Sequence, residues 1–156
     1  MKTSLVRRRL GGMLVLLLVS GVAWAQTPAD IAELRVKANA GDSDAQFNLG
    51  VAYRYGAGVP QDSAQAVAWT RKAAVQGHAA AQFSLGVRYA SGQSVPKDAV
   101  LAYKWYNLSA AQGTAETQRF AASNRDAIAK TMTPQQIADA QKLAREWQAA
   151  FDARQE

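Results

Sequence analysis

The chain says one thing twice. The segment AQFNLG at residues 45–50 returns as AQFSLG at residues 81–86, and laying residues 41–77 over residues 77–113 shows a constant offset of 36. Ala45, Gln46, Phe47, Leu49, Gly50, Val51 and Tyr53 recur as Ala81, Gln82, Phe83, Leu85, Gly86, Val87 and Tyr89. Further on, Gly56, Pro60, Asp62, Ala66, Trp69 and Gly77 recur as Gly92, Pro96, Asp98, Ala102, Trp105 and Gly113. A fixed period of this length marks an array of stacked supersecondary units, each of which buries its apolar side only against a neighbour.

Within one unit, Ala45, Leu49 and Tyr53 lie four residues apart and share one face of a helix. Gly50 sits at the edge of that face. A glycine inside a helix costs about 1 kcal/mol relative to alanine, so one that recurs points to the close approach of another helix. Gly56 ends this helix and GAGVPQD forms the turn. Asp62 then caps a second helix, with Gln65 placed to close a capping box. That helix turns Ala66, Trp69 and Ala73 to one side and stops at Gly77. The expected fold is all-α, an α-solenoid of antiparallel helix pairs, with repeat 1 at residues 41–76, repeat 2 at residues 77–112, and Leu49 and Leu85 in one continuous core. Repeat 2 departs by Ser94 for Gly58 in the turn and Leu101 for Gln65, and both changes should loosen the local geometry slightly.

The flanks fit a solenoid. In residues 26–40, Ile31, Leu34 and Ala38 have helical spacing and resemble a second helix without its first. Residues 113–132 begin in phase, with Gly113 and Gln118 matching, but Arg119 and Arg125 replace the aromatic residues of the repeat. In residues 133–156, Thr133, Pro134 and Gln136 make a capped helix start. The helix that follows aligns Ile137, Ala140, Ala144, Trp147 and Phe151 as a stripe suited to cap the solenoid; the alternative is a partner-binding or dimerising helix anchored by Trp147.

Residues 1–25 have the layout of a secretory signal peptide: Lys2 and Arg7 to Arg9, then an apolar run from Leu10 to Val22, then Ala23-Trp24-Ala25 before Gln26. The run is short for a bilayer span, which takes about 20 residues. The expected location is periplasmic or secreted, by general export, with no stable membrane insertion once the leader is cleaved; the alternative is an uncleaved anchor. Without the leader, fourteen basic residues face twelve acidic ones, a net charge of +2 against +6 for the whole chain. That balance argues against nucleic-acid binding. The remaining 131 residues form a single helical-repeat domain held by apolar packing, since there is no cysteine.

Catalytic chemistry is hard to assemble from these residues. His78 is the only histidine, and its counterparts Asp42 and Thr114 also follow a glycine at a helix start, so a capping role accounts for it. One histidine and no cysteine make neither a zinc site nor a Cys-His or Ser-His-Asp arrangement. Gly56-Ala57-Gly58 is no phosphate loop, and Asp62 and Asp98 recur as caps rather than as an acid pair. The chain is expected to be no enzyme, with no metal and no cofactor. Trp69, Trp105, Tyr53 and Tyr89, repeated in phase, are expected to pack between units.

The pattern AQFNLGVAYRYGAGVPQDSAQAVAWTRKAAVQG resembles the Sel-one-like repeat, a relative of the tetratricopeptide repeat, over residues 41–113; residues 132–147 also resemble a segment that follows such repeats in secreted bacterial proteins. The resemblance implies a right-handed superhelix of helix pairs that scaffolds protein assembly, commonly in bacterial cell envelopes, with the first helix of each pair lining the concave surface. Phe47, Asn48, Val51, Arg54, Tyr55, Phe83, Ser84 and Val87 would then face a groove that takes a peptide or helix of another envelope protein. Phe47 and Phe83 have an alternative role, packing on the preceding unit. A second function is cell-wall glycan or muropeptide binding, suggested by cysteine-rich relatives, with Tyr55 and Tyr106 as stacking platforms.

Overall fold

The computed structural model describes residues 28–156; the signal-peptide reading of residues 1–25 lies outside the described residues. Seven helices follow one another with no strand among the described residues: α1 Pro28–Asn39, α2 Ser43–Tyr55, α3 Ser63–Val75, α4 Ala79–Ser91, α5 Ala99–Gln112, α6 Ala115–Ala129 and α7 Pro134–Asp152. α2 with α3 and α4 with α5 are the two repeated pairs, each packed closely, and α3 packs in turn on α4. The chain is an α-solenoid.

Local chemistry sets the helix bounds. The side chains of Asp42, Asp62, His78, Asp98, Thr114 and Thr133 each accept an amide N–H of the helix they start, satisfying donors that the helix itself leaves unpaired. α7 has the full capping box: Thr133 Oγ1 accepts from the Gln136 amide at 3.2 Å and Gln136 Oε1 accepts from the Thr133 amide at 2.8 Å. At Asp62 the box does not close. The Asp62 amide instead donates to the Tyr53 carbonyl at 2.9 Å, and the Asp98 amide does the same to Tyr89 at 2.9 Å. This backbone clamp ties each helix start to the end of its partner, and it is kept where Leu101 replaces Gln65.

The repeated glycines have the steric role that their cost suggested. A Cβ on Gly50 would lie 2.8 Å from Thr70 Oγ1 and 3.1 Å from the Ala66 carbonyl oxygen, and one on Gly86 would lie 2.6 Å from the Tyr106 ring. Both positions let the second helix of a pair approach the first.

Leu49 and Leu85, each fully buried, do not share one core; each anchors its own cluster. The clusters themselves obey the period. Ala38, Ala45 and Leu49, with Tyr53 and Trp69 at the margin, are matched by Ala74, Ala81 and Leu85, with Tyr89 and Trp105. Each cluster fills the seam between one pair and the second helix before it, so α1 supplies to α2 what α3 supplies to α4. Polar contacts repeat likewise. Gln46 Nε2 donates to the Ala38 carbonyl at 3.0 Å and Gln82 Nε2 to that of Ala74 at 3.2 Å; Arg35 donates to the Tyr53 hydroxyl at 3.0 Å and Arg71 to that of Tyr89 at 3.1 Å. Arg125, where the motif had decayed, keeps the link with its polarity reversed by donating to Asn107 Oδ1 at 3.2 Å.

α7 caps from the side. It lies along α5 and buries Ala140 and Ala144, while Trp147 meets Trp105 edge-on at 6.3 Å and stacks on Phe151 at 5.0 Å. The predicted stripe therefore closes the Leu85 cluster. α6 buries only Ala121 and leaves Phe120 exposed.

Candidate functional site

The ends of the first helices and their turns converge on one open cleft of about 380 Å³. Its walls are Arg54 and Tyr55 from α2, Gln61 and Ser63 from the following turn and α3, and Arg88, Gln93 and Ser94 from α4 and its turn. Gln61 is held by a 2.8 Å bond from its Nε2 to the Arg54 carbonyl, and the Arg54 guanidinium lies 5.1 Å from the centre of the Tyr55 ring.

Arg88 is the unusual member. It is only 5% exposed, and its Nε is buried without a hydrogen-bond partner. Among the described residues no ion pair involves it. Burial, and next the charge of Arg54, hold its guanidinium below the ordinary arginine range. Ser94 also pays for its place: its φ is +61°, where the matching Gly58 has +71°. A side chain at positive φ costs about 1–2 kcal/mol that glycine avoids.

Of the residues expected on the binding face, Arg54 and Tyr55 reach this cleft. Asn48, Val51, Ser84 and Val87 are half-buried on the same two helices. Phe47 and Phe83 are also half-buried and occupied in packing. The Phe47 ring sits 4.8 Å from His78 at the start of α4, and the Phe83 ring 5.7 Å from Tyr106 of its own pair. Tyr106 is buried, so it offers no platform to a sugar. Trp69, Tyr53, Tyr89 and Trp105 pack at the two clusters as the repeat suggested. Arg88, Gln61 and Gln93 were not singled out from the sequence, and Ser94 was noted only as a departure in the turn. The signal for Arg88 was present: at the 36-residue offset it replaces Ala52, which is buried.

His78 does what its position indicated. Its Nδ1 accepts from the Ala81 amide at 3.1 Å, leaving the proton on Nε2, which lies 3.0 Å from Asp44 Oδ1. Burial pushes its pKa below the ordinary imidazole range, against the opposing pull of Asp44 and Asp42. The neutral ring thus links α4 to α2. Among the described residues no cluster of acidic or histidine side chains could hold a metal, and no helix is long and apolar enough to cross a membrane.

Stacked hairpins with a polar cleft at the ends of their first helices define a helical-repeat protein of the solenoid class. The Sel1 repeat model matches residues 43–78 and 79–114. A solved structure of a protective antigen present in uropathogenic Escherichia coli strains, displaying an SLR fold, is 34% identical with a TM-score of 0.69, over 82% of this chain and 28% of that one. A Sel1 repeat protein from Oxalobacter formigenes is 42% identical with a TM-score of 0.53, over 55% of this chain and 66% of its own. The present chain thus spans under a third of the first structure and about two thirds of the second. No curated protein matches it. The chain belongs to the Sel1-like repeat family, which points to a protein–protein interaction scaffold.

Proposed function

We propose that this chain is a non-catalytic scaffold of the bacterial cell envelope that binds a peptide or helix of a partner protein along the α2 and α4 face. The observation that carries the reading is the pairing of an in-phase repeat core with a face whose residues differ between copies: Asn48, Arg54 and Tyr55 in one, Ser84, Ala90 and Ser91 in the other. A core repeats because stacking demands it; a surface free of that demand is where recognition is written. Export by the N-terminal segment supplies the envelope setting, and likeness to a protective antigen is in keeping with it.

Capture of envelope proteins by the chain, compared with an Asn48→Ala/Arg54→Ala variant of unchanged helicity, tests the face. Loss of specific partners is expected, and identical partner sets would reject it. The glycan alternative has lost Tyr106 and keeps Tyr55, which is exposed. Sedimentation with purified peptidoglycan should leave the chain in the supernatant; co-sedimentation abolished by Tyr55→Ala would favour the glycan instead.

A further inference from the structure

Repeat 1 serves as an internal control for repeat 2. Of the residues buried in repeat 1, only Ala52 is answered by a charged one, Arg88. A buried guanidinium normally sits opposite a carboxylate, but here the largest effect of another side chain's charge on it comes from a second cation, Arg54. The rest of the lining carries no formal charge: the amides of Gln61 and Gln93, the hydroxyls of Ser63 and Ser94, and Tyr55. Two arginines share an open cleft, one of them 95% buried with an unpartnered Nε, and among the described residues no ion pair involves either. Ser94 keeps a hydroxyl on the cleft wall in a backbone conformation that suits glycine.

We propose that this cleft is a carboxylate-binding site, which takes an acidic side chain or the free C-terminus of a bound peptide; the peptide source rests on the scaffold reading above. A carboxylate is flat and presents two acceptor oxygens to a guanidinium, and its charge relieves the repulsion between Arg54 and Arg88. The neutral amides and hydroxyls around the two arginines add donors without adding charge. Arg88 gives the site its depth and Arg54 closes it from α2, so the ligand bridges the two repeats.

The test is a titration of the full chain, labelled with ¹⁵N, at low salt. The probes are acetyl-trialanine as the free acid, the same peptide as its carboxamide, acetyl-Ala-Glu-Ala carboxamide, and sodium phosphate. The Arg88 Nε–H signal and the Gln93 and Ser94 amides should shift saturably with carboxylate-bearing peptides and not with the trialanine carboxamide. Response to the free acid alone identifies a C-terminus, and response to the glutamyl peptide alone identifies a side chain; either supports the site. Arg54→Gln should weaken binding roughly tenfold, the loss expected for one charged hydrogen bond. Arg88→Ala, which copies repeat 1, should keep the helical signal and abolish the shifts at Gln93 and Ser94. If Arg88→Ala does not fold, Arg54→Gln decides by itself, and unchanged affinity there overturns the site. Equal response to the carboxamide, response to phosphate alone, or no response to any probe also overturns it. Carboxylate binding with unaltered partner capture in Asn48→Ala/Arg54→Ala would reject the scaffold face and leave the site standing. Altered capture without a carboxylate response would do the reverse.

Discussion

Repeat 1 and repeat 2 share a backbone plan and differ in their neighbours. α1 leans on the first helix of repeat 1, and among the described residues no helix equivalent to α7 lies along α3. There Trp69 is half-buried and meets the Lys72 Nζ at 3.9 Å from its ring centre, whereas Trp105 is buried under Trp147. The glutamines record the same difference. In repeat 1, Gln76 Nε2 donates to Gln46 Oε1 at 2.7 Å. In repeat 2, the matching Gln112 Nε2 donates to Gln148 of α7 at 2.8 Å, and Gln82 Oε1 is left buried without a partner. The cap diverts a hydrogen bond from the repeat it covers. Identical sequence in two copies thus does not mean identical satisfaction, because each copy bonds within a different set of surroundings.

The strongest way to probe this comparison is to empty the two cluster centres in turn. Leu49→Ala and Leu85→Ala should each destabilise by about 3 kcal/mol in denaturant unfolding, as expected for fully buried leucines. A much smaller loss at Leu49 would mean that the cluster on α1 relaxes in a way the α7-covered one cannot. Next in size is Gly86→Ala, expected to cost about 1–3 kcal/mol because the new methyl meets the buried Tyr106 ring, reduced by up to about 1 kcal/mol of helix propensity. Thermal unfolding read by circular dichroism checks it, and a gain in stability would show that α4 and α5 can part freely.

The glutamines give a finer contrast. Gln76→Ala orphans Gln46 Oε1 and should cost about 1–2 kcal/mol, while Gln148→Ala frees Gln112 to serve Gln82 and should cost under about 0.5 kcal/mol. Equal costs in chemical unfolding would deny the diversion.

The smallest effect is that of pH at His78. Its folded-state pKa lies below the unfolded value, so the unfolded chain binds the proton more readily. Stability from the neutral ring is complete above the ordinary imidazole pKa, near 6.5, and is lost as pH falls toward the depressed folded value. Protonation would put a hydrogen on Nδ1, where the Ala81 amide now donates. His78→Asn keeps a capping acceptor and should flatten that part of the stability profile; an unchanged slope would assign it to the carboxylates.

Much of the fold was readable because the repeat reports its own constraints. The positions of Leu49, Gly50, Gly56, Asp62 and Trp69 recur because burial, close approach, chain reversal and capping are local demands met alike in each copy. The candidate site was half readable. Arg54 and Tyr55 were found from the face they share, but Arg88 was not. Helical periodicity places a residue on a face without saying how deep its charge lies. The Gln65 box failed for a related reason: the competing acceptor, the Tyr53 carbonyl, belongs to another helix.

By itself the sequence determined the helix pairs of the two repeats, the capped start of the last helix, and which side of these helices is apolar, since these follow from neighbours within a few residues along the chain. Only the tertiary structure decided that the two leucines fill separate seams, that α7 lies along α5, and that Arg88 is buried beside Arg54. Those outcomes depend on which groups meet across space, and burial of a charge or competition for a hydrogen bond exists only once the helices are packed.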